Sequence, residues 1–202
     1  MSPFNSAPNN SMQNFTTALV TDNSDPENQG RVKIQFPWDN DSNESYWARI
    51  VTPMSGASFG VNFLPEIDDE VFVCFLAGDI QKPIIIGSLW NQDLMPPYPN
   101  DDGENNIRAI KSRSGHEIIF DDTDTQEKIE ITSKSGHKIT MDDTTGGEKI
   151  MIEDNSGNSI EMDAVTNKIT LKSSMQLSLE ANIIDIKAGS MLTLQGGMVK
   201  IN

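Results

Sequence analysis

Between Ser114 and Leu171 apolar and polar residues alternate in short runs that recur. Ser114-Gly115-His116 returns as Ser135-Gly136-His137 and again as Ser156-Gly157-Asn158, which sets the three glycines 21 residues apart. Each glycine is followed by one alternating run, Glu117–Asp122, Lys138–Asp143 and Ser159–Asp163, and then by a second, Glu127–Ile131, Glu148–Ile152 and Asn167–Leu171. The third copy is two residues shorter between its glycine and its lysine. A fixed period of this size marks a stacked repeat, and the alternation marks strands with one apolar face. Ile118 and Phe120 share a face, as do Ile129 and Ile131, Ile139 and Met141, Ile150 and Ile152, Ile160 and Met162, and Ile169 and Leu171. The Asp-Asp-Thr and Ser-Gly segments between them are turn chemistry, so one unit reads strand, turn, strand, turn.

Two large apolar groups per strand do not make a core. At about 1.5–3 kcal/mol per buried side chain, a single layer of such strands cannot offset the ordering of its backbone, and it leaves open edges. Nothing else in the chain has the length to cover the stripe. The economical covering is other copies of the same chain with identical stripes facing a shared axis, and three sheets closing a triangular prism suit strands this short.

The remainder divides around this segment. Residues 1–15 are polar and read as a flexible arm. Residues 16–91 hold short strands without helical period: Ala18–Val20, Arg31–Phe36, Tyr46–Val51, Val71–Leu76 and Pro83–Leu89, with a polar loop Asp39–Ser45. That pattern predicts a small barrel. Residues 92–107, with Pro96, Pro97 and Pro99, form an extended linker, and 108–202 a β-helical needle. Past Leu171 the period shortens to stripes at Met175, Leu177 and Leu179, at Ile184, Ile186 and Ala188, and at Leu192 and Leu194. These predict strands turning around a narrow prism. The apolar end, with Met198, Val199, Ile201 and Asn202, points to contact with a separate capping protein.

Composition narrows the function. Aromatics are 6 % and hydrophobics 36 % of the residues, which suits an elongated assembly better than one large core. The net charge of −15 opposes binding to nucleic acid or anionic lipid. Cys74 is the single cysteine; it excludes an intrachain disulfide and reads as a buried structural thiol. Residues 1–15 show no signal peptide, and no run reaches membrane-spanning length. His116 and His137 occupy equivalent repeat positions, but Asn158 replaces them in the third repeat, so they read as turn-flanking rather than metal-binding. Asp121-Asp122, Asp142-Asp143 and Asp163 read as turn formers rather than calcium ligands. Glu66, Asp68, Asp69 and Glu70 read as a solvated turn. No nucleophile, phosphate-loop or general-base pattern occurs, so neither an enzyme nor a cofactor is expected.

The barrel segment resembles the central spike family of contractile injection systems, which includes phage-tail baseplate spikes and the VgrG proteins of type VI secretion. The resemblance is carried by Val20–Asn23 with Asp25-Pro26, Gly30–Trp38, Trp47–Ile50, Pro65–Val73 and Gly78–Asn91, and by the Ser-Gly-His-x-Ile-x-Phe-Asp-Asp repeat. It implies an OB-fold barrel followed by a trimeric, intertwined β-helix, all-β throughout. It implies a homotrimer at the centre of a baseplate, assembled in the producing cell's cytoplasm and delivered to the target envelope on contraction. The trimer core would be the six apolar pairs named above. Larger family members carry an N-terminal hub before the barrel, so a separate trimeric hub is expected on the N-terminal side. No His-x-His iron motif is present, so a PAAR-like tip protein is expected at the C-terminal end. The alternative from another class is a β-helical protein that binds or degrades polysaccharide, which calls for an outward groove of carboxylates and aromatics.

Overall fold

The computed structural model describes residues 15–38 and 46–200; the arm before Phe15, the Asp39–Ser45 loop, Ile201 and Asn202 lie outside the described residues. The described chain is all-β apart from a three-residue 3-10 turn at Leu76–Gly78, and it divides into two compact units, 1–99 and 100–202.

The first unit is built on β1 (Phe15–Asp22), β2 (Lys33–Gln35), β3 (Arg49–Ile50), β6 (Glu70–Phe75) and β7 (Pro83–Ser88), in the order β2-β1-β6-β7-β3. Val32 and Ala48 exchange backbone hydrogen bonds of 3.1 and 2.7 Å, which joins the two ends of that order and closes a five-stranded barrel. Period-2 alternation turns Ala18, Val20, Val32, Ile34, Val71, Val73 and Ile85 inward, where each is essentially inaccessible. The same alternation turns Cys74 outward. The thiol is half-buried and its residue pairs with Phe15 and Ile84, which corrects the expectation of a buried cysteine. A hairpin unmarked by hydrophobic alternation, β4 (Ser55–Gly56) with β5 (Phe59–Gly60), sits in the connector between β3 and β6.

Asp25 organises the loop before β2. Its carboxylate, 3 % exposed, receives the Arg31 guanidinium through Nε at 2.9 Å and Nη2 at 2.8 Å, and the backbone N–H groups of Glu27 and Gln29 at 3.0 and 2.9 Å. Arg31 and these amides hold the carboxyl far below the usual carboxylate range.

The second unit is one antiparallel meander of seven strands in sequence order: β8 (Ile107–Lys111), β9 (Glu117–Asp121), β10 (Lys128–Thr132), β11 (Lys138–Asp142), β12 (Lys149–Glu153), β13 (Ser159–Asp163) and β14 (Lys168–Lys172). β8 carries the meander one strand ahead of the first repeat. The Ser-Gly turns are set by a residue two places before the serine. Ser112 accepts the Gly115 N–H on its carbonyl at 2.9 Å and the His116 N–H on its Oγ at 2.9 Å. Ser133 does the same for Gly136 and His137, and Asp154 for Gly157 and Asn158. Gly115, Gly136 and Gly157 close the turns at φ of +93°, +88° and +87°, a region costly for any residue with a Cβ. At the opposite ends Asp121, Asp142 and Asp163 accept the N–H of Thr123, Thr144 and Thr166. The Thr144 hydroxyl and N–H lower the Asp142 pKa, and the Thr166 N–H lowers that of Asp163.

After Lys172 the structure departs from the alternating stripes. Residues 173–200 form no strand pair among the described residues, and nearly all of them are exposed. A strand exists only against a neighbour's backbone. The meander ends at β14, which pairs with β13 alone, and the segment does not add a strand to that edge.

Candidate assembly interface

Strand register places the twelve predicted apolar residues on one face of the second unit, in two adjoining rows. The first row runs Ile110, Ile118, Ile131, Ile139, Ile152, Ile160, Leu171 from β8 to β14, each directly opposite the next. The second runs Arg108, Phe120, Ile129, Met141, Ile150, Met162, Ile169. Ile110 and Arg108 extend the rows beyond the residues legible in the repeat. Arg108 closes the second row with a charge, and its guanidinium pairs with Asp122.

Both rows face outward from this chain. Ile118 is 36 % exposed, Phe120 44 %, Ile150 41 % and Ile169 74 %. Thr140 is the one fully buried residue among the described residues of the unit. A continuous exposed apolar face of this kind marks an interaction surface on a soluble protein.

The opposite face is mostly polar, with Ile107, Ile119 and Met151 among its charged and hydroxyl side chains. One line across it reads Asp121, Lys128, Asp142, Lys149, Asp163, Lys168, alternating in sign at every strand. A second line begins Lys111, Glu117 and contains Lys138 opposite Glu153. Glu130 receives both Lys138 and Lys128, the latter at 3.8 Å. A slip of register by one residue would turn the isoleucine rows over, and a slip by two can set like charges such as Glu130 and Asp142 opposite one another, so both faces specify the same pairing.

The turns stack as well. His116 Nδ1 accepts the Lys134 N–H at 3.2 Å, and Asn155 Nδ2 donates to the Ser135 carbonyl at 2.9 Å, each bond linking one repeat to the next. Asn158, in the position of the two histidines, accepts the Ser174 N–H at 2.8 Å where the meander ends. Its amide also lowers the Asp154 pKa. Glu66 and Asp69 form a turn in which Asp69 accepts the Glu66 N–H. Among the described residues no group of three or more His, Cys, Asp or Glu is placed to hold a metal. Among the described residues no helix is long and apolar enough to cross a membrane. Of the predicted tip-contact residues, Met198 and Val199 are exposed at 77 % and 54 %, and Ile201 and Asn202 lie outside the described residues.

A five-stranded barrel followed by a repeat sheet whose apolar face is uncovered defines a spike-type β protein. The family described as the type VI secretion system/phage-baseplate injector OB domain matches residues 16–90, so the first unit carries a domain of that family. The chain is 36 % identical over 106 residues to the type VI secretion system spike protein VgrG2a of Pseudomonas aeruginosa, a match covering 48 % of this chain and 12 % of that protein. It is 32 % identical over 105 residues to VgrG1a of the same organism, covering 49 % and 16 %, and 34 % identical over 111 residues to VgrG3 of Vibrio cholerae, covering 51 % and 11 %. The chain therefore aligns with only about a tenth to a sixth of the length of these relatives, and over that stretch it is similar to VgrG spike proteins.

Proposed function

We propose that this chain is the structural spike at the centre of the baseplate of a phage-tail-like contractile injection system. Three copies join the apolar faces of their second units around one axis, and the resulting needle pierces the target envelope when the sheath contracts. The observation that carries this reading is the pair of uncovered apolar rows on a sheet with no apolar core of its own. Residues 173–200 extend the needle by pairing between chains, which supplies the strand partners that this segment does not find within one chain. The division into arm, barrel, linker and needle follows the change from a self-contained core to a shared one.

The mechanism needs no bond-making chemistry. Force passes along a body in which each apolar side chain contacts the other two copies, so one strand cannot unfold without exposing the others. A hub protein on the N-terminal side and a small tip protein on the apolar C-terminal end complete the assembly. It forms in the cytoplasm of the producing cell and reaches the target only on contraction. The polar face of the meander carries no aromatic residue among those described, so it offers a polysaccharide no stacking platform. Deleting the coding sequence in the producing cell tests the role. Loss of complete baseplates in electron micrographs, with loss of contraction-dependent killing, is expected. Normal particles with normal killing would overturn it.

A further inference from the structure

The connector between β3 and β6 is free of charge along its interior. No residue from Ile50 to Pro65 is ionisable, in a chain with 15 basic and 30 acidic residues. It is also apolar where it meets solvent: Val51 is 56 % exposed, Met54 50 %, Phe59 63 % and Phe63 71 %. The β4–β5 hairpin within it is well built. The Phe59 ring lies against Gly56, where an added Cβ would fall 2.2 Å from the ring. The Val61 N–H donates to the Met54 carbonyl at 3.0 Å, and the Thr52 hydroxyl donates to the Val61 carbonyl at 2.7 Å. Together with Arg49, Ile50 and Leu64 the hairpin lines a recess of about 550 Å3, and Phe63, largely exposed, borders it as well. A preformed recess whose charged lining residue among those described is Arg49, beside an exposed aromatic, has the composition of an interface core, where arginine and aromatics are enriched.

We propose that this connector is a second contact between copies of the chain, in which Phe63 of one barrel seats in the Met54–Phe59 recess of the next and closes a ring of three. The proposal rests on the trimer reading. Its occupant follows from charge and symmetry. Copies that each carry −15 repel wherever acidic surfaces meet, and the connector from Ile50 to Pro65 presents no acidic residue. A threefold contact joins two different patches, so it needs a hole and a knob on the same molecule; the recess and Phe63 supply both. Barrels tethered to joined second units also face one another at an effective concentration in the millimolar range. A contact too weak to pair free barrels is then filled.

The test uses the purified full-length chain with p-benzoylphenylalanine in place of Phe63. Illumination is expected to give covalent dimers and trimers whose cross-links map to residues 50–61 of another copy. In parallel, Phe63→Ser alone, which leaves the Phe59–Gly56 packing intact, is expected to leave the solution mass unchanged and to raise amide exchange over residues 54–61 at least tenfold. Trimer mass without inter-chain cross-links, or with unchanged exchange, would overturn this proposal and leave the needle reading standing. A single-chain mass for the unsubstituted protein would remove the trimer reading and this proposal with it.

Discussion

Ile150 stands in the middle of the second apolar row, between Met141 and Met162, and is 41 % exposed in one chain. The two accounts of that exposure give opposite expectations for Ile150→Asp. On a free sheet surface the change is an ordinary exposed substitution, worth within about 0.5 kcal/mol. At a shared axis it removes three buried isoleucines, at about 1.5–3 kcal/mol each. It also sets three carboxylates together. For groups about 6 Å apart at an effective dielectric of about 20, each pair repels by about 3 kcal/mol, so three pairs reach about 8 kcal/mol. The trimer therefore loses more than about 10 kcal/mol in all, enough to dissociate most assemblies of this size. Burial and like charge both raise the aspartate pKa in the assembled state. The assembled form then binds more protons than the separated chains, so assembly recovers as the pH falls from 7 towards 5. Light scattering and unheated denaturing gels read the mass. Glu161→Ala, on the polar face of the neighbouring strand, is the control and should keep the assembled mass. An Ile150→Asp protein that keeps the mass and heat resistance of the parent at pH 7 would refute the axial placement.

Three further outcomes follow from local geometry. Gly136→Ala puts a Cβ on a residue at φ +88° and should cost about 1–2 kcal/mol per chain in urea unfolding, whereas Gly189→Ala, which meets nothing within 4 Å, should be near neutral. Lys149→Glu reverses one member of the alternating line and places like charges opposite both Asp142 and Asp163. It should destabilise by about 0.2–1 kcal/mol per pair, less at high salt, with partial rescue by Asp163→Lys in a double-mutant cycle. Asp25→Asn should lower the melting temperature of the barrel. Because the native Asp25 pKa is depressed, the unfolded chain binds the extra proton first as pH falls below about 4. The stabilisation from Asp25 is present above that pH and fades below it, so the substitution should flatten acid destabilisation in that range. Thermal melts between pH 3 and 7 would show an unchanged acid slope if the Arg31 pair contributes nothing.

The repeat was legible because two periods coincide in it, one of two residues that fixes faces and one of 21 that fixes turns. Direct pairing of Ile118 with Ile131, and of Ile139 with Ile152, follows from those periods alone. Other features carry weaker signals. Ser112, Ser133 and Asp154 close the turns through a side-chain oxygen, and a serine or aspartate two places before a Ser-Gly pair looks like ordinary loop composition. β8 precedes the first full repeat, so the 21-residue period does not reach it although Arg108 and Ile110 continue the two apolar rows. Cys74 sits in an unbroken apolar run, where alternation is hidden and which neighbours point inward cannot be read. The segment 173–200 has strand-like stripes without strand pairing, because a pattern of side chains states which face wants burial and not whose backbone supplies the ladder. The charge-free connector carried no periodic signal at all, and its recess depends on how the hairpin folds over Gly56.

The account stands or falls on where the isoleucine rows are buried. Multi-angle light scattering of the unsubstituted full-length chain, diluted to the micromolar range, measures this most directly. It should give three times the 22.3 kDa of one chain, at unchanged mass across the dilution series. A folded particle of one chain's mass, stable with both rows in water, would contradict it.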